Sequence, residues 1–416
     1  MPQRYVRSVL GLTLLFVLTS CFQPTPPDPR PPDPPPVPSW HFYNTVRHVV
    51  INASGDLYVA GDKGWEDVYL RRYDRTGTLL WTRALEEDAA DETTDTDVDA
   101  VAVGPEGNLY MAWQRFLYEG DTIYASWHLT AYDHEGDKLW QVETNGVEDL
   151  AADASGNVYT TEGGVGHITK YAPGGRVAWV RSGFPTPQSV AVSGAGHLYV
   201  AREDGAVVKY TRDGDRLWLE KALPSNQDDV SEIRYEVAAG PDDTLYVTGG
   251  AFRYRYDGDL TATEDAELYL HKFDGTGTLA WRRQVAALRE RSVNEALEGW
   301  IAFALDVDRD GAAYVATGRV GEDDCGPDSC TDAVVMKYGA SGERVWTTTL
   351  GTPELDGATS VATYDGRDIF VGAVTGGNLN DAGPGNPQAL LRALDEDGKS
   401  VWAQRLFKVP DTVPQE

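Results

Sequence analysis

The stretch VVKYTRDGDRLWLEK, residues 207–221, holds the spacing that decides the fold: Tyr210, then Gly214 four residues on, then Trp218 eight residues on. The same spacing recurs at Tyr73-Gly77-Trp81, Tyr132-Gly136-Trp140, Tyr171-Gly175-Trp179, Phe273-Gly277-Trp281, Tyr338-Gly342-Trp346 and Leu394-Gly398-Trp402. Successive Trp residues lie 39 apart at Trp140 and Trp179 and 65 apart at Trp281 and Trp346, yet the motif itself never stretches. A constant motif inside repeats of variable length marks a repeat architecture.

Each motif has a companion upstream: VAVGPEGNLYMA (101–112), LAADASGNVYTT (150–161), VAVSGAGHLYVA (190–201) and VAAGPDDTLYVT (237–248). A short apolar run, a turn of Gly, Asp and Asn, and a second apolar run holding Tyr make a β-hairpin signature. The Trp motif is a second hairpin, so each repeat supplies four antiparallel strands, A to D. Seven such units predict a seven-bladed, all-β propeller over 40–410. The repeats span about 44–85, 98–145, 146–184, 185–223, 231–286, 294–351 and 356–407. Eight residues before the strand-B aromatic stand Val50, Ala102, Ala151, Ala191, Ala238, Asp306 and Ala362. Small residues there suit innermost strands converging on an axis, and the seven Trp residues are expected to fill the space between sheets. A helical pattern is expected only at Ala286–Glu298.

The GNLY or GNVY turn followed by KYxxxGxxxW resembles the bacterial propeller repeat called SBBP and, more distantly, the PQQ-type repeat. Ala393-Leu394-Asp395 to Gly398 to Trp402 comes nearest the latter, one residue short between Asp and Gly. The resemblance implies a propeller of exported or surface proteins. It implies no quinone, because PQQ dehydrogenases hold that cofactor against a disulfide of adjacent cysteines, and Cys325 and Cys330 are not adjacent.

Residues 1–20 read as an export signal: Arg4 and Arg7 precede an apolar run, Val9–Leu18, too short to span a bilayer. Leu18-Thr19-Ser20-Cys21 resembles a lipobox, which makes Cys21 the expected lipidation site. In 21–39, the segment PTPPDPRPPDPPPVP (24–38) favours polyproline II, a spacer of roughly 45 Å at about 3.1 Å per residue. Phe22, standing where Asp would retain a lipoprotein at the inner membrane, favours the outer membrane or cell surface. The repeats begin with strand A and end with strand D, which allows all seven to be in phase; alternatively Trp40-His41-Phe42 adds a strand to the last blade and clasps the ring, and a clasp is the favoured closure.

The net charge of −29 disfavours nucleic acid and bare anionic lipid as partners. Cys325 and Cys330, in Cys-Gly-Pro-Asp-Ser-Cys, read as a local disulfide in an exported chain. Asp306, Asp308 and Asp310 match the first half of a calcium loop, but the twelfth position is Thr317 where a bidentate Glu belongs. No cofactor is expected, calcium at those three being the one alternative. Glu86–Asp99 carries eight acids in fourteen residues, a solvated run with calcium as its other reading. The seven His residues show no metal or triad spacing.

Length variation gathers in B–C loops (113–123, 251–266, 321–332, 375–387) and D–A loops (86–97, 224–232, 286–299). In a four-stranded blade these share one face, and loops on a rigid scaffold are where binding usually resides. The expected function is therefore a lipid-anchored monomeric scaffold binding a protein or polymer there. The alternative is a propeller enzyme acting on sugars or phenolics, which calls for convergent His, Arg and carboxylates at the axis.

Overall fold

The computed structural model describes residues 4–5, 45–63, 67–84, 94–119, 122–221, 232–256, 262–293, 303–320, 331–351, 356–378 and 381–407. Cys21, the spacer, Trp40–Phe42, Cys325 and Cys330 lie outside them.

Seven four-stranded antiparallel blades form a ring, every sheet in the order A-B-C-D. Blade 1 comprises His48–Ile51, Leu57–Lys63, Asp67–Tyr73 and Leu79–Ala84; blade 2, Thr94–Val103, Leu109–Glu119, Thr122–Tyr132 and Lys138–Thr144. Blade 3 is Asp149–Ala152, Val158–Glu162, His167–Tyr171 and Val177–Ser182; blade 4, Pro187–Val192, Leu198–Arg202, Ala206–Tyr210 and Arg216–Lys221. Blade 5 is Glu232–Ala239, Leu245–Tyr256, Ala262–Phe273 and Leu279–Val293; blade 6, Phe303–Val307, Ala313–Val320, Thr331–Tyr338 and Arg344–Leu350. Blade 7 is Asp356–Tyr364, Asp368–Asn378, Asp381–Leu394 and Ser400–Arg405. The A strands neighbour one another around the axis. Arg4–Tyr5 adds a fifth strand to blade 2, pairing with Tyr124 and Ile123.

The repeat spacing has a local cause. In Asp74-Arg75-Thr76-Gly77-Thr78, Asp74 Oδ1 accepts the N–H groups of Thr76 and Thr78 at 2.9 Å each, and Gly77 sits at φ +83°. That left-handed residue closes a hairpin with a one-residue bulge. The bulge sets Trp81 opposite Arg72 instead of Arg71. Each blade consequently carries one cross-strand row facing the next blade; in blade 4 it is Ala191, Tyr199, Lys209 and Trp218. The opposite parity faces the blade before.

The core is accordingly divided. Seven apolar clusters each bridge two consecutive blades, such as Tyr159 and Ile168 of blade 3 with Leu198, Val200 and Tyr210 of blade 4. The seam between blades 7 and 1 is filled like the rest, with Phe370, Leu391 and Ala393 against Val49, Leu57 and Tyr73. Among the described residues that seam is held by packing and by bonds such as Val49 N to Ser360 Oγ at 2.9 Å, with no strand shared between the two sheets.

Two expectations are corrected. Residues Ala286–Val293 continue strand D of blade 5 against Ala262–Leu268, so that part of the Ala286–Glu298 helix does not form. The insertions at 113–123, 251–266 and 375–387 are largely extended strand, building β-ribbons on blades 2, 5 and 7. Asp95 and Asp97, read as loop, belong to strand A of blade 2.

Candidate binding face

The ring has two rims, one carrying the A–B and C–D turns, the other the B–C and D–A connections. The turn rim carries a recurring set of blade-to-blade bonds. Every repeat Trp donates its indole N–H to a carbonyl in the next blade's C–D turn. Trp81 reaches His134, Trp140 Pro173, Trp179 Arg212, Trp218 Gly275, Trp281 Ala340, Trp346 Glu396, and Trp402 closes the circle on Arg75. The distances run from 2.6 Å for Trp140 to 3.4 Å for Trp402. These rings are half-buried and lie over the neighbouring turns, rather than filling the middle of the interface. Five strand-B tyrosines do the same with A–B turns, for example Tyr246 OH to Gly311 O at 2.7 Å.

One turn-rim node was not visible in the sequence. Asp243 accepts Ser193 Oγ at 2.6 Å, His197 Nδ1 at 2.9 Å, Tyr199 OH at 3.0 Å and Lys209 Nζ. Burial opposes ionisation, but these donors, Lys209 first, hold its carboxyl at about 2. Ser193 hydrogen-bonds Asp243, not the distal nitrogen of His197, so the Ser-His-Asp set lacks a nucleophile-to-base bond. It latches blade 4 to blade 5.

The three candidate calcium ligands are likewise separated by their duties. Asp308 Oδ1 accepts Asp310 N at 3.0 Å and Ala312 N at 2.8 Å, while Oδ2 accepts Tyr314 OH at 3.0 Å. Asp306 accepts Val307 N at 2.8 Å and, across the interface, Thr363 N of blade 7 at 2.7 Å. Asp310 is exposed. Among the described residues no group of three His, Cys, Asp or Glu side chains is placed to hold a metal.

Asp306 belongs to a pattern around the axis. Strand A is a sheet edge, and its inward backbone groups need partners. Asp149 accepts Val190 N at 2.8 Å, Ser189 accepts Val237 N at 3.2 Å, Ser360 serves Val49, and Glu236 accepts Leu305 N. Burial raises Asp149 and Asp306 each to about 6, and Glu236 well above its ordinary range. His48 Nε2 lies 3.0 Å from the Asp99 carbonyl, which can only accept, so that nitrogen carries the proton; burial lowers His48 to about 4.

The loop rim is built differently. Where the axis opens onto it, Arg47 bridges Asp62 at 2.6 Å and Asp97 at 3.5 Å. Burial, then Asp97 and Glu148, push Asp99 up to about 8, and its Oδ2 has no hydrogen-bond partner among the described residues. Strand B has 5 residues in each of blades 3 and 4, against 11 in blade 2 and 12 in blade 5. At about 3.3 Å per residue, the flanking ribbons stand roughly 20 Å taller. The rim is therefore notched over blades 3 and 4. Its floor is firm: buried Glu162 accepts Thr169 Oγ1 at 2.7 Å and Asn145 Nδ2 at 3.1 Å, fixing the turn that displays Val165. Val165, Glu148, Pro185 and Glu203 are exposed on it, and Tyr118 and Ile123 on the blade 2 ribbon.

Residues 125–320, somewhat under half of the chain, match a PQQ-like family model described as outer membrane protein assembly factor BamB. Over those residues the repeats are similar to the PQQ-like model. No curated protein matches the chain. Similar solved folds include BamB from Moraxella catarrhalis, 14% identical, covering 84% of this chain and 93% of that one at a TM-score of 0.42. A chain of a mitotic checkpoint complex is 17% identical over 87% of this chain and 95% of its own, at 0.48. A protein of unknown function from Bacteroides caccae is 15% identical over 58% and 82%, at 0.36.

Proposed function

We propose that the chain is a lipid-anchored, extracytoplasmic propeller that holds a protein partner on its loop rim. The observation that carries this reading is the contrast between rims: the Trp, Tyr and turn carbonyls that recur on one are engaged in ring closure, while the other offers ribbons, a notch and an acidic axial opening. A protein partner and a cell-envelope location are further supported by the matched family model, described as an outer membrane assembly factor. The anchor rests on Leu18–Cys21 behind its apolar run, with residues 1–20 removed, Cys21 lipidated and the proline-rich segment as tether. No helix among the described residues is long and apolar enough to cross a membrane. In the same reading Cys325 and Cys330 close a small loop by a disulfide.

The chain enters strand A of blade 1 from the loop rim, so the tether leaves from the rim that binds. A partner seated there would lie between propeller and membrane. The test places a photo-crosslinking residue at Val165 or Tyr118 on the loop rim, and at Thr76 or Asp213 on the turn rim. Adducts from the first pair alone are expected; adducts from both rims, or from neither, reject the reading. The enzyme alternative has one observation in its favour, the convergence of Arg47, His48, Asp62, Asp97 and Asp99 at the axial opening.

A further inference from the structure

We propose that the outer edge of the blade 2 ribbon, Thr122–Ser126, takes an extended, basic strand of a partner polypeptide by β-sheet augmentation. The inference rests on the loop rim being a protein-binding surface and names how one part of it binds. Strand C of blade 2 outruns strand D: Thr144 pairs with Trp127, and no residue of strand D lies opposite 122–126. On its other side this stretch is fully paired to strand B, from Glu119 opposite Thr122 to Arg115 opposite Ser126. One row of its backbone donors and acceptors is therefore left for another strand.

Protein edges are ordinarily guarded by charge, proline or short length. Each strand D, the outer edge of its blade, carries at least one charged residue, such as Arg181 in blade 3 or Arg216, Glu220 and Lys221 in blade 4. Thr122-Ile123-Tyr124-Ala125-Ser126-Trp127 has no charge, no Pro and no Gly, only residues that favour strands or tolerate them. Ile123 and Tyr118 are exposed beside it and offer side-chain footholds to an incoming strand.

The structure also shows a strand in place. Arg4–Tyr5 pairs antiparallel on this edge, Arg4 with Tyr124 and Tyr5 with Ile123. That segment carries Arg4 and Arg7 and no acid before Cys21. The surroundings match it in charge: Glu119 ends strand B, Asp95 and Asp97 lie on strand A, and Glu143 stands exposed on strand D. Removal of residues 1–20, as proposed above, vacates the edge, and every blade is complete without residues 1–44.

The test compares amide hydrogen exchange at Ile123–Ser126 in the full chain and in one lacking residues 1–20, with and without the peptide PQRYVRS (residues 2–8). Loss of residues 1–20 should speed exchange there at least tenfold and nowhere else in the blades. The peptide should restore protection, and Arg4→Glu with Arg7→Glu in the peptide should weaken binding at least fivefold. Peptides N-methylated at alternate residues give the decisive arm. One set removes the donors facing the edge and should fail, and the other should still bind. Equal binding by both sets overturns the proposal, as does exchange that stays slow without residues 1–20 and without peptide. Crosslinks at Val165 and Tyr118 without peptide protection overturn edge pairing and leave the scaffold standing. Peptide protection without those crosslinks supports edge pairing and sinks the scaffold reading.

Discussion

The two rims of the ring differ in what their residues are needed for. On the turn rim a Trp, a left-handed Gly and a Tyr hydroxyl recur because each closes the joint to the next blade. On the loop rim blade-to-blade contacts such as Arg47 with Asp97 do not recur from repeat to repeat, and strand B ranges from 5 to 12 residues. The repeated part of the sequence thus describes how the molecule holds together. Under the proposed function, what it binds is written in the part that does not repeat.

The sharpest way to break this contrast is a pair of glycine substitutions. Gly175 sits at φ +80°, and a Cβ there would lie 2.7 Å from Trp140 Cε3, whereas Gly164 on the notch floor has nothing within 4 Å. Gly175→Ala should cost on the order of 2–3 kcal/mol in chemical denaturation, and Gly164→Ala less than about 0.5 kcal/mol. Matching losses would erase the distinction. The next effect belongs to the loop rim. Asp99 holds its proton to about pH 8, far above an unfolded carboxyl near 4. Its contribution to stability is thus full below the unfolded value and lost as pH rises through 8. Asp99→Asn should flatten the fall in melting temperature between pH 5 and 9, with the widest gap from wild type at pH 9. Unchanged slopes in calorimetry would show that the opening does not hold that proton. The smallest effect is Trp140→Phe, which keeps the ring but removes the 2.6 Å bond to Pro173 O. About 1 kcal/mol should be lost, readable as a lower denaturant midpoint; no change would mean the indole bonds add nothing to packing.

The turn rim was legible because its causes are local: a left-handed Gly and a one-residue bulge act within nine residues. The axial latches were not, because Asp149, Ser189 and Glu236 act on the backbone of a different blade, about 40 to 70 residues away in the chain. Asp243 escaped notice for the same reason, its partners Ser193 and His197 lying in the preceding repeat. The ribbons had a signal that length obscured. Aromatic and β-branched residues crowd Trp113–Glu119 and Thr122–His128, as strands require. At Ala286–Val293 a locally helical pattern yields to pairing with strand C. His271 gave no sign at all, yet it is buried beside Tyr269 and Phe273, and burial, then Arg282, lowers it to about 4.

Every blade is cut in the same phase, A to D, and the joint between blades 7 and 1 is made of the same parts as the others. In terms of packing the molecule has no first blade. The chain enters and leaves on the loop rim at neighbouring blades, so linking those two points and opening any other D–A connection would give a circular permutant with all seven joints intact. The order in which the blades are synthesised is a property of the chain; the ring itself does not record it.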